Sequence, residues 1–323
     1  MSFYSTLKKI DRANKRAVRN SERRRRELNR IQKANQRLAE AEAAQLEVDL
    51  YENRIEVLRS IHMDCNEPID WEGLLTESPP FPQNSTGPNE RVAIEKLSTY
   101  KPGLRDKLFG RGDAQKEKLQ QDIETAKKED LELYKEWEER VSWAQKILSG
   151  DAALYIEVMK EMDPFQDVSE IGSSIDMKVL DADTMEATVY VQSEEVIPSK
   201  VKSVTAAGKL SEKNMPKGAY YELYQDYVCG VTLRVAREIF AALPVSKLYL
   251  HAVGESLNTS TGHTENNTIL STLMDRDTVE SLNYSLIDPS DSMVNFEHKM
   301  KFQKTKGMLS VDRITIHARQ GGV

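Results

Sequence analysis

From Phe3 to about residue 63 the chain holds neither glycine nor proline, and strong helix formers fill the stretch. With no residue that breaks the backbone hydrogen-bond ladder, a long α-helix is the conformation the segment favours. Within it Ala34, Leu38, Ala41, Val48, Tyr51, Ile55 and Leu58 recur at steps of three and four, a loose coiled-coil stripe. The stripe is rich in alanine and interrupted at Gln45, which favours one wall of a helical hairpin over a long dimeric zipper.

The helical pattern stops near Cys65-Asn66-Glu67-Pro68. Residues 64–113 then hold Pro68, Pro79, Pro80, Pro82, Pro88 and Pro102, so this is a proline-rich connecting segment with an extended stretch at Ser78–Pro82. A short helix is expected over Glu90–Thr99. A second long helix is expected from Ala114 to Leu148, with Leu119, Ile123, Ala126, Leu133, Trp137, Val141, Ala144 and Leu148 as its apolar seam. Gly150 suits its C-terminal stop, and a short helix Ala152–Met162 closes at Asp163-Pro164. Two long amphipathic helices separated by a looped insert suggest an antiparallel hairpin.

From Ser173 the apolar period changes from helical to two. Strands are expected at Ile175–Val179, Ala187–Val191, Val201–Ala206, Leu248–Val253 and Ile269–Leu273. Tyr220–Leu243 reads as a helix closed by Pro244, and Arg234 and Arg237 on it predict a solvent-facing side. The fold class that follows is α+β: a long antiparallel helical hairpin or coiled coil, then a mixed or antiparallel sheet packed on a long helix. The expected divisions are 1–63 (basic helix or coiled coil), 64–113 (connecting segment), 114–165 (second long helix and short helix), 170–310 (α+β domain) and 311–323 (flexible tail).

Charge is unevenly placed. Residues 1–37 hold 13 Lys/Arg against three acids (Asp11, Glu22 and Glu27), a net of +10, whereas the remainder holds 32 basic and 49 acidic residues, a net of −17. Such asymmetry marks a basic arm that meets a polyanion: nucleic acid, a membrane surface or acidic residues of a partner. The arm residues are Lys8, Lys9, Arg12, Lys15, Arg16, Arg19, Arg23, Arg24, Arg25, Arg26, Arg30, Lys33 and Arg37. They spread around several helix faces with little aromatic interleaving, so phosphate contact without base readout is the form of DNA or RNA binding they suit. The helix lacks the large apolar face of a membrane-surface helix. A protein partner or a homo-oligomer through the helices is the other expectation.

No run of about 18 apolar residues occurs, so no membrane span is expected. No apolar segment follows the first basic residues, so a secretory signal is not expected either. Two unpaired cysteines, Cys65 and Cys229, point to a reducing compartment and a cytoplasmic location.

Three phrases carry a resemblance: Ser60–Cys65 with Pro68-Ile69-Asp70-Trp71; Tyr100-Lys101-Pro102-Gly103 with Leu108–Arg111; and Met215-Pro216-Lys217-Gly218 leading into Tyr221–Cys229. Together they resemble a family of uncharacterised bacterial proteins with this layout, over nearly the whole chain. The resemblance implies a bacterial origin and, for the C-terminal domain, company with nuclease-like or phage-defence proteins. It supplies no catalytic residues.

Catalytic motifs are scarce. A metal-dependent nuclease places an acid before a Glu-x-Lys, so that carboxylates hold Mg²⁺ and the lysine orients water. Asp288 or Asp291 ahead of Glu297-His298-Lys299 fits that pattern, and Asp176-Met177-Lys178 fits it less well. In a chain this charged, the chance reading is a solvated face. His251, Glu255 and His263 offer two imidazoles and a carboxylate at a spacing that matches no metal motif. Cys65 near His62 is a weak thiolate pair at a helix C-terminus, and Cys229 reads as a core residue. Tyr220, Tyr224 and Tyr227 share a helix face, for packing or for a partner. No G-x-S-x-G, Walker or G-x-G-x-x-G phosphate loop is present. The sequence therefore favours a non-enzymatic binding or scaffold protein without a cofactor. The alternative is a nuclease, in which case Mg²⁺ would be required.

Overall fold

The computed structural model describes residues 3–101, 111–165, 173–258 and 262–315; the side chains of residues 3–27, 34, 111–112, 256–258 and 264 fall outside that description. The chain is α+β. Its first element, α1 (Phe3–Ser60), is one unbroken helix of 58 residues, about 87 Å long at 1.5 Å per residue. Then come α2 (Trp71–Leu75), α3 (Pro88–Thr99), α4 (Arg111–Leu148) and α5 (Ala152–Met162). The expected ends of α1, α3, α4 and α5 match to within a few residues, whereas α2 was not expected; Pro88 takes the first position of α3, where its missing N–H costs nothing.

A six-stranded sheet follows: β1 (Ser174–Asp181), β2 (Thr184–Tyr190), β5 (Lys247–Asn258), β6 (His263–Asp275), β7 (Glu297–Gln303) and β8 (Gly307–Leu309), in that spatial order. The sheet is mixed. β2 and β5 run parallel, which requires a crossover, and α6 (Lys217–Ala242) supplies it. All other neighbours are antiparallel. Between β2 and α6 the chain makes a separate hairpin, β3 (Lys200–Val204) and β4 (Leu210–Asn214). Two short helices, α7 (Arg276–Ser281) and α8 (Pro289–Ser292), lie between β6 and β7.

The core forms between α6 and one face of the sheet. Met185, Ala187 and Val189 of β2 and Leu248, Leu250 and Ala252 of β5 are fully buried with Val228, Val231, Val235 and Ile239 of α6. α6 is buried on nearly all sides, because α1's C-terminal end, α2 and α8 cover what the sheet does not. The expected solvent-facing side at Arg234 is therefore absent. Arg234 is 5% exposed, and the carboxylate of Glu238, one turn on and 1% exposed, pairs with it at 2.9 Å.

α1 and α4 find different surroundings. α1 lies on β3, β4 and α6, and α4 lies on α2, α3 and α5. Residues 64–101 are held by side chains that reach the body. The Trp71 indole N–H donates to the Ala242 carbonyl at 2.8 Å, and Phe81 stacks on Tyr134 with 5.3 Å between ring centroids. Expected structure at residues 102–110 lies outside the described residues.

Candidate functional site

α1 is rooted through its C-terminal half. Ala44, Val48 and Leu58 are buried and fall on one face because a helix returns to the same side every three or four residues, and Ile61, just past the end of the helix, is buried too. Gly230 lets Ile61 pack against α6, since a Cβ there would come within 2.9 Å of the Ile61 Cγ2. The Arg237 guanidinium donates to the carbonyls of His62 at 2.6 Å and Met63 at 2.7 Å, just past the end of α1. Arg54 donates to the Val196 carbonyl at 2.8 Å, Lys202 pairs with Glu47, and Gly208 of the β3–β4 turn sits against Ala41.

Before Ala41 nothing holds the described part of the helix. Every described side chain from Leu28 to Glu40 is exposed, Arg30, Lys33 and Arg37 included. Ten of the expected arm residues, Lys8, Lys9, Arg12, Lys15, Arg16, Arg19 and Arg23 to Arg26, lie on the helix with side chains outside the described set. A rooted helix base with an exposed basic continuation is the geometry of an arm.

The second polar region is the sheet face turned away from α6. Strand register aligns Asp176, Thr188, His251, Ser271 and Lys299 in one row across β1, β2, β5, β6 and β7. Lys178, Glu186, Tyr249, Leu273 and Glu297 form the next row. His251 is fully buried there. Its Nδ1 is 2.9 Å from Ser271 Oγ, and its Nε2 makes no hydrogen bond and lies 3.5 Å from Glu186 Oε1. The Arg313 guanidinium is 3.6 Å from the same carboxylate oxygen. Burial, and then Arg313, hold the His251 pKa down to about 4, so the ring is neutral near pH 7.

Serine, imidazole and carboxylate are the parts of an acyl-transfer triad. Here they do something else. Ser271 is fully buried, and the Ile314 amide donates to its Oγ at 2.9 Å, which occupies the approach a substrate carbonyl would need. The array instead fastens residues 311–315 to the sheet, helped by Val311 N donating to the Thr268 carbonyl at 2.8 Å and Lys299 Nζ to the Arg313 carbonyl at 3.0 Å. The flexible tail expected from residue 311 is thus held as far as residue 315; residues 316–323 lie outside the described set.

The nuclease candidates are separated. Glu297 and Lys299 are exposed on the outer face of β7, alternating with Met300, which points to the core beside Cys229. Asp288 instead caps α8, accepting from Ser290 N at 2.9 Å and Asp291 N at 3.1 Å, and α8 packs on α6. Asp291 lies in that first turn. The sheet stands between the two pairs. Asp288 does act on Asp226 of α6, whose carboxyl is pushed up to about 6 by burial first and by Asp288 next.

His251, Glu255 and His263 do not converge. Glu255 is four residues from His251 along β5, about 13 Å at the rise of a strand, and pairs in register with Asn266. Among the described residues no group of three His, Cys, Asp or Glu is placed to hold a metal ion. His62 is buried, and burial raises the pKa of the half-buried Cys65 thiol. Cys229 is a core thiol 3.7 Å from Met300 Sδ, with its pKa also raised by burial. The tyrosines are packing residues with anchored hydroxyls: Tyr220 donates to the Glu194 carbonyl at 2.6 Å, Tyr224 to the Gln192 carbonyl at 3.0 Å, and Tyr227 lies 3.1 Å from Ser173 Oγ. No described helix is long and apolar enough to cross a membrane.

Sequence reasoning missed Glu186, Ser271 and Arg313, because each matters only through partners on other strands. It also missed the Lys202–Glu47 link that roots the arm, since nothing local ties residue 47 to residue 202. Comparison of the chain with family models, with curated proteins and with solved structures finds no match.

Proposed function

We propose that this protein is a binding protein whose α1 presents a basic helical arm to nucleic acid, with the α+β domain as its anchor. One observation carries the reading: a single unbroken helix joins a firmly packed base to a segment of net charge +10 in which Arg30, Lys33 and Arg37 are exposed. Lysines and arginines spread around a helix neutralise phosphates and release counterions without reading bases. Binding is therefore strongly salt-dependent and weakly sequence-dependent. A bacterial defence setting is part of the same proposal and rests on the sequence resemblance alone.

The test is fluorescence anisotropy with labelled single- and double-stranded DNA and RNA across a salt series. Wild-type chain is compared with full-length Arg30→Glu/Lys33→Glu/Arg37→Glu. Because each phosphate contact contributes ~0.9 to the slope of log affinity against log salt, the variant slope is expected to be shallower by roughly 3. Equal slopes would take these three residues out of the interface, and no binding at low salt would remove nucleic acid as the ligand. Running the strands on a gel after incubation with Mg²⁺ tests the nuclease alternative in the same samples.

A further inference from the structure

The expectation that this helix lacks a large apolar face does not hold for its described part: besides the face buried on the body, α1 carries a second row of aliphatic side chains that is left exposed. Exposed along it are Leu28 (66%), Ile31 (51%), Leu38 (62%), Leu46 (60%), Leu50 (60%) and Val57 (42%). At ~100° per residue these six fall within an arc of roughly 120° on one side. The buried set, centred on Ala44, Val48 and Leu58, lies on the opposite side. The stripe therefore runs along the arm and continues over the rooted half, with Leu50 at its edge beside Ile197, Pro198 and Lys202 of the body. The same spacing extends in the sequence through Phe3, Leu7, Ile10, Ala13 and Ala17. A row of large aliphatic side chains this exposed on one helix face is what a partner helix covers.

Charge identifies the partner. Residues 1–37 carry +10, while residues 38–60 hold six acids (Glu40, Glu42, Glu47, Asp49, Glu52 and Glu56) against Arg54 and Arg59, a net of −4. A helix that is basic at one end and acidic at the other is complementary to itself when reversed. A parallel pairing would stack basic half on basic half. We infer that the outward stripe of α1 docks on the same stripe of a second copy of this chain, antiparallel, about a two-fold axis near the middle of the helix.

Matching the stripe to its reversed copy puts the axis near residue 30, by the two-fold rule that if residue i meets j then j meets i. By sequence position, 10 of one chain then falls opposite 50 of the other, and the basic positions 8, 12 and 19 fall opposite or next to the acidic positions 52, 49 and 42. The two bodies stand at opposite ends and do not compete with the docked helix, because body and partner take opposite faces of α1. This pairing stands apart from the nucleic-acid reading. It also leaves the basic stretches 23–37 of both chains side by side near the axis.

The test is sedimentation equilibrium of the full chain over a range of concentrations at low and high salt, combined with single-cysteine cross-linking in a Cys65→Ser/Cys229→Ala background. A dimer is expected that Leu46→Glu/Leu50→Glu dissociates while circular dichroism stays unchanged, since both positions are exposed. Ile31→Cys, close to the axis, is expected to cross-link to itself. Leu50→Cys is expected to cross-link only when mixed with Ile10→Cys. A monomer at every concentration and salt overturns the inference. So does Leu50→Cys cross-linking to itself, which signals a parallel pair, or a dimer that survives the double glutamate variant. Unchanged salt dependence of nucleic-acid binding in a dissociated variant would confirm that the two readings stand separately.

Discussion

Arg234 and Glu238, one turn apart on α6, form an ion pair of 2.9 Å with side chains 7% and 1% exposed. Glu238 also accepts from the Asn66 amide at 3.1 Å and from its side chain at 2.9 Å, so the carboxylate ties the segment after α1 to the central helix. Removing one partner of such a pair strands a buried charge. Glu238→Leu is expected to cost ~3–5 kcal/mol of unfolding free energy, and Arg234→Met added to it to recover part of that loss. Chemical denaturation of the wild type and the two variants checks it; a double variant no more stable than the single would show that Arg234 was not left uncompensated.

Acid should act through His251. Its folded pKa of about 4 lies below the ordinary imidazole value because the charged ring cannot be solvated under residues 311–315. The unfolded chain therefore takes up this proton first as pH falls. Stability is full above about pH 6.5, declines towards pH 4 and levels off below, a loss of up to ~3 kcal/mol. His251→Gln is expected to flatten the wild-type decline over that window, whatever its effect at pH 7. Melting temperatures of both proteins from pH 7.5 to 4 measure this.

Asp226 works in the opposite direction. Its folded pKa of about 6 is raised by burial and then by Asp288, while a Ser290 hydrogen bond and Arg59 lower it. The folded state holds this proton more tightly than the unfolded one. The associated stability is present at low pH and lost as pH rises through about 6. Asp226→Asn, which stays neutral, is expected to stabilise the protein by ~1–3 kcal/mol at pH 8 and by much less at pH 4. Equal effects at both pH values would mean that the carboxyl is ionised without cost.

Gly150 ends α4 with φ +82°, the left-handed conformation in which a helix commonly stops at glycine. A Cβ there would also come within 2.3 Å of the Ala182 Cβ in the β1–β2 turn. Gly150→Ala is expected to cost at least ~1 kcal/mol from backbone strain alone, and more if the turn has to move. Gly218, where a Cβ would meet nothing within 4 Å, is the control position, and Gly218→Ala is expected to be near neutral.

Much of this architecture was legible because its signals are local. The missing Gly and Pro of α1, the Gly150 stop of α4 and the alternation in β2 each act within a few residues. Tyr220–Leu243 was identifiable as a helix, but Arg234 suggested exposure, because its neutralising partner at Glu238 shows only once α2, α8 and the sheet close around both. The row of Asp176, Thr188, His251, Ser271 and Lys299 was invisible for a related reason: it exists only in the strand register. Asp288 and Glu297 looked like neighbours in sequence, yet one caps a helix on the α6 side and the other points outward from β7. The positive charge of residues 1–37 is a property of the sequence alone, but the second apolar face of α1 emerged only when burial showed which leucines the body leaves uncovered.

The unbroken course of α1 has a consequence for how this chain tolerates insertions and deletions. Anchor, outward stripe and basic residues sit on one rigid screw, so the position of each relative to the body is an angle as well as a length. One residue added between Leu38 and Ala41 would turn everything before it by about 100° while moving it only about 1.5 Å. Seven added residues would lengthen the arm by about 10 Å and bring the faces back to within about 20°. Changes in whole heptads thus alter how far the arm reaches, and any other change alters the direction it faces.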